Sequence, residues 1–200
     1  AWAKTYEVGV VSDLAYGALG YRGYENPSFL STPGAKDVGI EFYTFSKTFN
    51  MAGWRLAFAA GDDQMIEALN LIQDHLFVGI FPALQEAGIA ALLDPKSEEA
   101  VAQLNATYDS RRDAFVQAAA KIGWQAFPSR GSFYAWMPVP EGYTSESFAD
   151  LLLEKAHVAV APGKGFGPAG DAYVRIGLLV EPERLGEAVN RIANLHLFNN

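Results

Sequence analysis

Cysteine is missing altogether from these 200 residues, which excludes disulfides and thiolate metal ligation. That absence fits a reducing, cytoplasmic setting. Histidine is scarce: His75, His157 and His196 stand far apart without metal-ligand spacing, so no metal site is expected. No stretch approaches the ~20 apolar residues of a membrane span. The first residues lack the basic and apolar regions of a signal peptide, so neither membrane insertion nor secretion is expected. Basic residues are outnumbered, 15 Lys+Arg against 23 Asp+Glu, and form no block. The resulting formal charge of −8 argues against nucleic acid as a partner. Between Arg55 and Lys96 there is no lysine or arginine at all. Internal repeats and low-complexity tracts are absent too.

What remains is a chain able to bury a core, with 50% hydrophobic and 19% charged residues. Its periodicities alternate between strand and helix. Val8–Ser12 is a short apolar run that reads as a buried strand of a parallel sheet. A turn-rich loop with Gly17, Gly20, Gly23, Pro27 and Pro33 follows. Residues 40–44 and 56–60 read as two more strands, and Asp62-Asp63 supply helix-start chemistry for a helix to about Leu76. A second helix is expected from Pro82 to Leu93. Asp94-Pro95 resembles an N-cap followed by proline at the first helical position, opening a long helix to about Ile122. Beyond Trp124 strands are expected at 133–137, 158–161 and 173–178, with helices at 145–157 and 182–197. The pattern is α/β, then α+β. Trp54 and Trp136 are read as packing residues.

The segment Thr44-Phe45-Ser46-Lys47-Thr48 is the chemical centre of the sequence. It sets one lysine among hydroxyls, with Arg55 eight positions on and no other charge between Glu41 and Arg55. Upstream lies Ser12-Asp13-Leu14-Ala15-Tyr16; far downstream lies Tyr173-Val174-Arg175-Ile176-Gly177. An amine, an acid, a phenol, two hydroxyls and a guanidinium are what pyridoxal 5′-phosphate (PLP) requires. Asp13 and Lys47 both fall at carboxyl ends of expected strands, where open α/β sheets bind ligands. The alternation Tyr173, Arg175, Gly177 puts Arg175 on one face of a strand with apolar neighbours. Gly163-x-Gly165-x-Gly167 follows a strand, but Pro168-Ala169-Gly170 continues as loop, so the dinucleotide fingerprint fails. It reads as a mobile loop.

In this order and spacing, the three segments resemble the aspartate-aminotransferase-like, fold-type I family of PLP enzymes, nearest to bacterial transaminases for methionine-related or diaminopimelate-type substrates. The resemblance covers essentially the whole chain, but only the later half of such an enzyme. Ala1-Trp2-Ala3-Lys4 reads like the tail of a preceding helix. It implies the C-terminal part of a PLP-binding large domain, mainly parallel sheet with helices, over 1–105. A small α+β domain then covers 106–200, with a linking helix at about 95–122.

It also implies a ping-pong aminotransferase that passes an amino group between an amino acid and a 2-oxo acid through a Lys47 aldimine. Asp13 would pair with the pyridinium nitrogen and Tyr16 would donate to the phenolate oxygen. Thr44, Ser46 and Arg55 would bind phosphate, and Arg175 the substrate carboxylate. A homodimer is implied. The same residues would serve a carbon–sulfur β-lyase of this fold, and a half-length chain would have no activity if it cannot assemble the site alone. The segment His75–Pro82, without lysine or arginine, suits an apolar or thioether substrate side chain better than a second carboxylate.

Overall fold

A computed structural model describes residues 1–127 and 129–198. The chain forms two compact units, Ala1–Leu104 and Asn105 onward. Unit 1 starts with α1 (Trp2–Tyr6) and β1 (Val10–Asp13). β2 (Gly39–Thr44) pairs in parallel with β1, setting Ser12 opposite Glu41 and Asp13 opposite Phe42. A single turn, α2 (Phe45–Thr48), continues directly from β2. β3 (Ala57–Gly61) then comes back antiparallel, with Thr44 opposite Ala57.

The sheet, ordered β1-β2-β3, therefore has one parallel and one antiparallel pairing, where the sequence reading expects mainly parallel strands. A parallel return needs a crossover that spans the sheet. Here the link folds on itself instead. Phe45, Met51 and Leu56 bury together, and the Phe45 amide donates to the Leu56 carbonyl at 3.2 Å. β1 also differs from a strand buried on both faces. Val11 on β1 is exposed, and Phe58 on β3 is exposed although its ring meets that of Phe45 edge-on at 6.0 Å.

Asp62 caps α3 (Asp63–Ile72), its Oδ1 accepting from the Met65 amide at 3.0 Å. The helix widens into a π-turn at Gln73–Phe77 and stops at Val78, which adopts φ 61°. α4 (Pro82–Leu93) packs Ala87 and Ala91 against the Phe45 cluster. α5 (Ser97–Lys121) starts later than the Asp94-Pro95 signal indicates. Asp94 accepts from the Lys96 amide at 2.8 Å and so caps a turn before the helix. Ser97 Oγ then bonds back to the Ala91 carbonyl at 2.7 Å.

Unit 2 is built on β4 (Tyr134–Pro138), β5 (Ala161–Pro162) and β6 (Tyr173–Gly177), in the order β4-β6-β5 and antiparallel throughout. β5 is shorter than the expected 158–161 strand and lies later. One face of this sheet buries Ala135, Met137, Val174 and Ile176. They meet Phe115 and Ala119 of α5, Phe148 of α6 (Ser145–Leu151), and Leu185, Val189 and Ile192 of α7 (Pro182–Ala193). α6 ends in a π-turn, Leu152–Ala156, closed by His157 at φ 55°. Trp124 sits at the centre, 1% exposed, and its indole N–H donates to the Pro138 carbonyl at 2.7 Å.

The glycine-rich segment before β6 is more ordered in form than a plain loop. It makes two 3₁₀ turns, Gly163–Phe166 and Pro168–Ala172. Their backbones touch: a Cβ on Gly170 would lie 2.0 Å from the Gly163 carbonyl oxygen. At Gly165, nothing stands within 4 Å of such a Cβ. Gly170→Ala is therefore expected to destabilise unit 2 by about 2 kcal/mol, while Gly165→Ala stays near neutral; thermal unfolding of the two variants checks the contrast.

Candidate functional site

The parallel pairing of β1 and β2 brings Asp13 and the start of α2 to the same end of the sheet. Asp13 closes β1 and is exposed; Lys47 is half-buried on α2. Thr44 caps that turn. Its hydroxyl accepts from the Ser46 amide at 3.2 Å and lies 2.9 Å from Ser46 Oγ. The single Thr44 hydroxyl hydrogen has two acceptors in reach, Ser46 Oγ at 2.9 Å and the Leu56 carbonyl at 3.3 Å. Next to Lys47, Thr48 is buried and shares a 2.8 Å hydrogen bond with the Tyr43 hydroxyl. The turn carrying Lys47 is thus fixed from both sides.

Arg55 reaches the same region because Leu56 is bonded to Phe45. Arg55 itself is left-handed, at φ 55°, and exposed. Its Nη1 donates to the Ala52 carbonyl at 2.9 Å, which uses one of its five N–H groups. Trp54, expected to pack, is instead 47% exposed beside it, since the short 3₁₀ turn Ala52–Trp54 has no covering element on that side among the described residues.

Tyr16 lies in the loop after β1 and is half-buried. Asn26 organises that loop: its amide lies 2.9 Å from the Tyr16 carbonyl, 3.1 Å from that of Leu19 and 3.3 Å from that of Gly17. Glu41 secures the far end. This carboxylate is 8% exposed and accepts from Ser12 Oγ at 2.9 Å, Ser28 Oγ at 2.6 Å and the Phe29 amide at 2.7 Å. Sequence reasoning singled out neither residue. An acidic residue inside an apolar strand run was the available signal for Glu41, because a buried charge must be hydrogen-bonded.

Arg175 belongs to unit 2. On β6 it stands opposite Trp136, on the face away from the Val174–Ile176 core. Its guanidinium carbon lies 4.1 Å from the ring centre of Tyr134 and 4.4 Å from that of Phe166. Trp136 stacks on Tyr173 at 5.4 Å and meets the edge of Phe166 at 5.8 Å. Behind these rings, Ser145 is fully buried and donates to Asp171 Oδ1 through its hydroxyl at 2.8 Å and its amide at 3.2 Å. Those two bonds, with the Lys164 charge nearby, hold the Asp171 carboxyl below its ordinary 3.8. Lys164 is raised above its ordinary 10.5 by its bond to Glu146.

Among the described residues, no cluster of three or more acidic or histidine side chains could hold a metal ion, and no helix is long and apolar enough to cross a membrane.

A family model described as aminotransferase class I and II matches residues 1–192. The chain is 59% identical, over 189 residues, to an L-glutamine–4-(methylsulfanyl)-2-oxobutanoate aminotransferase of Bacillus subtilis, covering 94% of the chain and 47% of that protein. It is 47% identical to an LL-diaminopimelate aminotransferase of Moorella thermoacetica, covering 96% of the chain and 48% of the relative. A substrate-bound structure of BacF from Bacillus subtilis superposes with a TM-score of 0.93 at 44% identity, over 98% of this chain and 50% of that one. The chain thus spans about half the length of the relatives it matches.

Glu41→Gln replaces one acceptor oxygen by an NH2 group, which must face either Ser28 Oγ or the pair Ser12 Oγ and Phe29 amide, so unit 1 is expected to lose about 2 kcal/mol; faster hydrogen exchange at the Phe29 amide would register it. Asp171 gives a pH-dependent case. A carboxyl lowered in the folded state adds stability that is complete above the unfolded value and disappears as pH falls through the folded one. The melting temperature of the wild type is expected to exceed that of Asp171→Asn near neutrality. The gap should narrow as pH drops below 3.8; a gap independent of pH would contradict it.

Proposed function

The chain belongs to the class I and II aminotransferase family, and from that premise we propose that it carries the PLP-holding lysine of an enzyme that moves an amino group between an amino acid and a 2-oxo acid. The observation that carries this reading is the shared end of β1 and β2. An acid and an amine far apart in sequence stand there, Asp13 closing β1 and Lys47 on the turn that continues its parallel neighbour β2, with hydroxyls and a guanidinium close by in the chain. Ligands of open α/β sheets bind at such ends.

The donor set fits PLP. Asp13 offers a carboxylate for the ring nitrogen, and Tyr16 a phenol for the ring oxygen. Thr44, Ser46 and Arg55 offer hydroxyls and a planar cation for the phosphate. When bound, PLP supplies a carbonyl carbon and a ring that accepts the electron pair left at the substrate α-carbon. Lys47 Nζ must be unprotonated to act. With the cofactor bound, Lys47 would carry a proton from the substrate α-carbon to the cofactor carbon in one half-reaction, and in the reverse direction in the other. The pinned turn around it limits the directions in which that amine can move. Arg175 is proposed to hold the α-carboxylate through its N–H fork. Because the first oxo acid would leave, its amino group kept behind, before the second binds, ping-pong kinetics are expected.

Substrate choice rests on residues 75–82, where no lysine or arginine occurs. Leu76, Phe77 and Phe81 are largely exposed there, which favours an apolar or thioether side chain over a distal carboxylate. The same exposed apolar run supports a homodimer.

A PLP titration of the 200-residue chain by visible absorbance, with borohydride trapping, tests the cofactor reading. A stoichiometric imine mapped to Lys47 and lost in Lys47→Ala is expected; no specific imine would overturn it for this chain. Joined to the remaining half of such an enzyme, the chain is expected to favour methionine or leucine over aspartate as donor by about tenfold or more. Release of ammonia and pyruvate, instead of oxo-acid-dependent transfer, would point to a lyase.

A further inference from the structure

Arg175 lies over two rings that come from different places. Tyr134 is on β4 and is fixed by the sheet. Phe166 comes from the first 3₁₀ turn of the glycine-rich segment, so its place depends on what holds that turn.

The second turn is tied to the sheet by backbone, since the Val139 amide donates to the Ala172 carbonyl at 2.9 Å. The first turn has a different tether. The Lys164 amide donates to Ser145 Oγ at 3.2 Å, and that hydroxyl donates in turn to Asp171 Oδ1 at 2.8 Å. One buried hydroxyl therefore joins both turns, and Asp171 sets the direction of its hydrogen. Lys164 Nζ also meets Glu146 at 2.7 Å, but both side chains are more than half exposed, and such pairs contribute little.

We propose that Asp171, acting through Ser145, is a positioning residue for Arg175: it clamps the Gly163–Ala172 segment so that Phe166 stays over the guanidinium and leaves the N–H edge to a carboxylate ligand. The carboxylate part rests on the role proposed above for Arg175; the clamp does not. A guanidinium held over aromatic rings gives up its faces and offers its donors in a fixed plane. Asp171 precedes β6 by two residues and has no need to touch the ligand. Its oxygen accepts twice from Ser145, so the carboxylate, and not its charge alone, carries the effect.

The test is the Arg175 side-chain Nε–Hε signal in ¹H–¹⁵N NMR of the whole chain, assigned by its loss in Arg175→Lys. Ring currents from Phe166 and Tyr134 displace that proton in the wild type. Phe166→Leu calibrates the shift that follows loss of one ring. Asp171→Ala and Ser145→Ala are expected to move the signal in the same direction, while Asp171→Asn, which keeps an acceptor oxygen, retains most of the wild-type position. The Trp124 indole signal reports that the core is intact. Should Asp171→Ala fail to fold, Asp171→Glu keeps the charge, displaces the oxygens by one methylene, and is expected to move the signal likewise.

The same samples are titrated with 4-(methylsulfanyl)-2-oxobutanoate. Weakening of about three- to tenfold is expected in the Asp171→Ala and Ser145→Ala variants, the range of one lost cation–π contact. An unmoved Arg175 signal in folded Asp171 and Ser145 variants, against a clear shift in Phe166→Leu, would overturn the clamp. Signals that move as expected in a wild type that binds no carboxylate would uphold the clamp and remove the carboxylate role of Arg175 instead.

Discussion

The parallel ladder between β1 and β2 is the constraint on which unit 1 depends. It has a definite register, Ser12 against Glu41 and Asp13 against Phe42. A slip of one residue would turn every side chain of β1 to the opposite face. Glu41 makes such a slip costly, because its buried carboxylate is satisfied by Ser12 across the ladder and by Ser28 and Phe29 from the loop above. The acid is therefore a register pin. It sits one position from the pair that brings Asp13 toward the Lys47 turn, so the geometry of the candidate site follows from a residue that belongs to no site.

Unit 2 solves a comparable problem by other means. Its sheet is antiparallel, and one face is given wholly to a core of Trp124, Phe148, Met137 and Val174. The other face carries Tyr134, Trp136, Tyr173 and Arg175, which pair in rings and cation. A rigid, dry face supports a polar and aromatic one. The two 3₁₀ turns rest on the second face only because Gly163 and Gly170 let their backbones meet.

Much of this was legible in the sequence, and the reasons are specific. Apolar alternation in Tyr173–Gly177 reports directly which side chains share a face, and Arg175 lies where that pattern puts it. Asp62 announces α3 because a cap acts within three residues. Relations between segments were less visible. Nothing local distinguishes a link that crosses a sheet from one that folds back, so the direction of β3 waited on the burial of Phe45 with Leu56. The helix start at Ser97 moved because Asp94 spends its oxygen on Lys96. Glu41, Asn26 and the Ser145–Asp171 pair escaped notice for a common reason. Each owes its importance to partners 7 to 29 positions away, which no motif of short range encodes.

Each unit holds two tryptophans, and the two pairs differ in exposure. Trp2 and Trp54 of unit 1 are 64% and 47% exposed, whereas Trp124 of unit 2 is 1% exposed and Trp136 is stacked on Tyr173. Indoles in water emit further to the red than indoles in a dry core. The protein thus carries its own two-colour dye: the red side of its fluorescence belongs mainly to unit 1 and the blue side to unit 2. Melting of one unit before the other would be written in the shape of a single emission band, without any label.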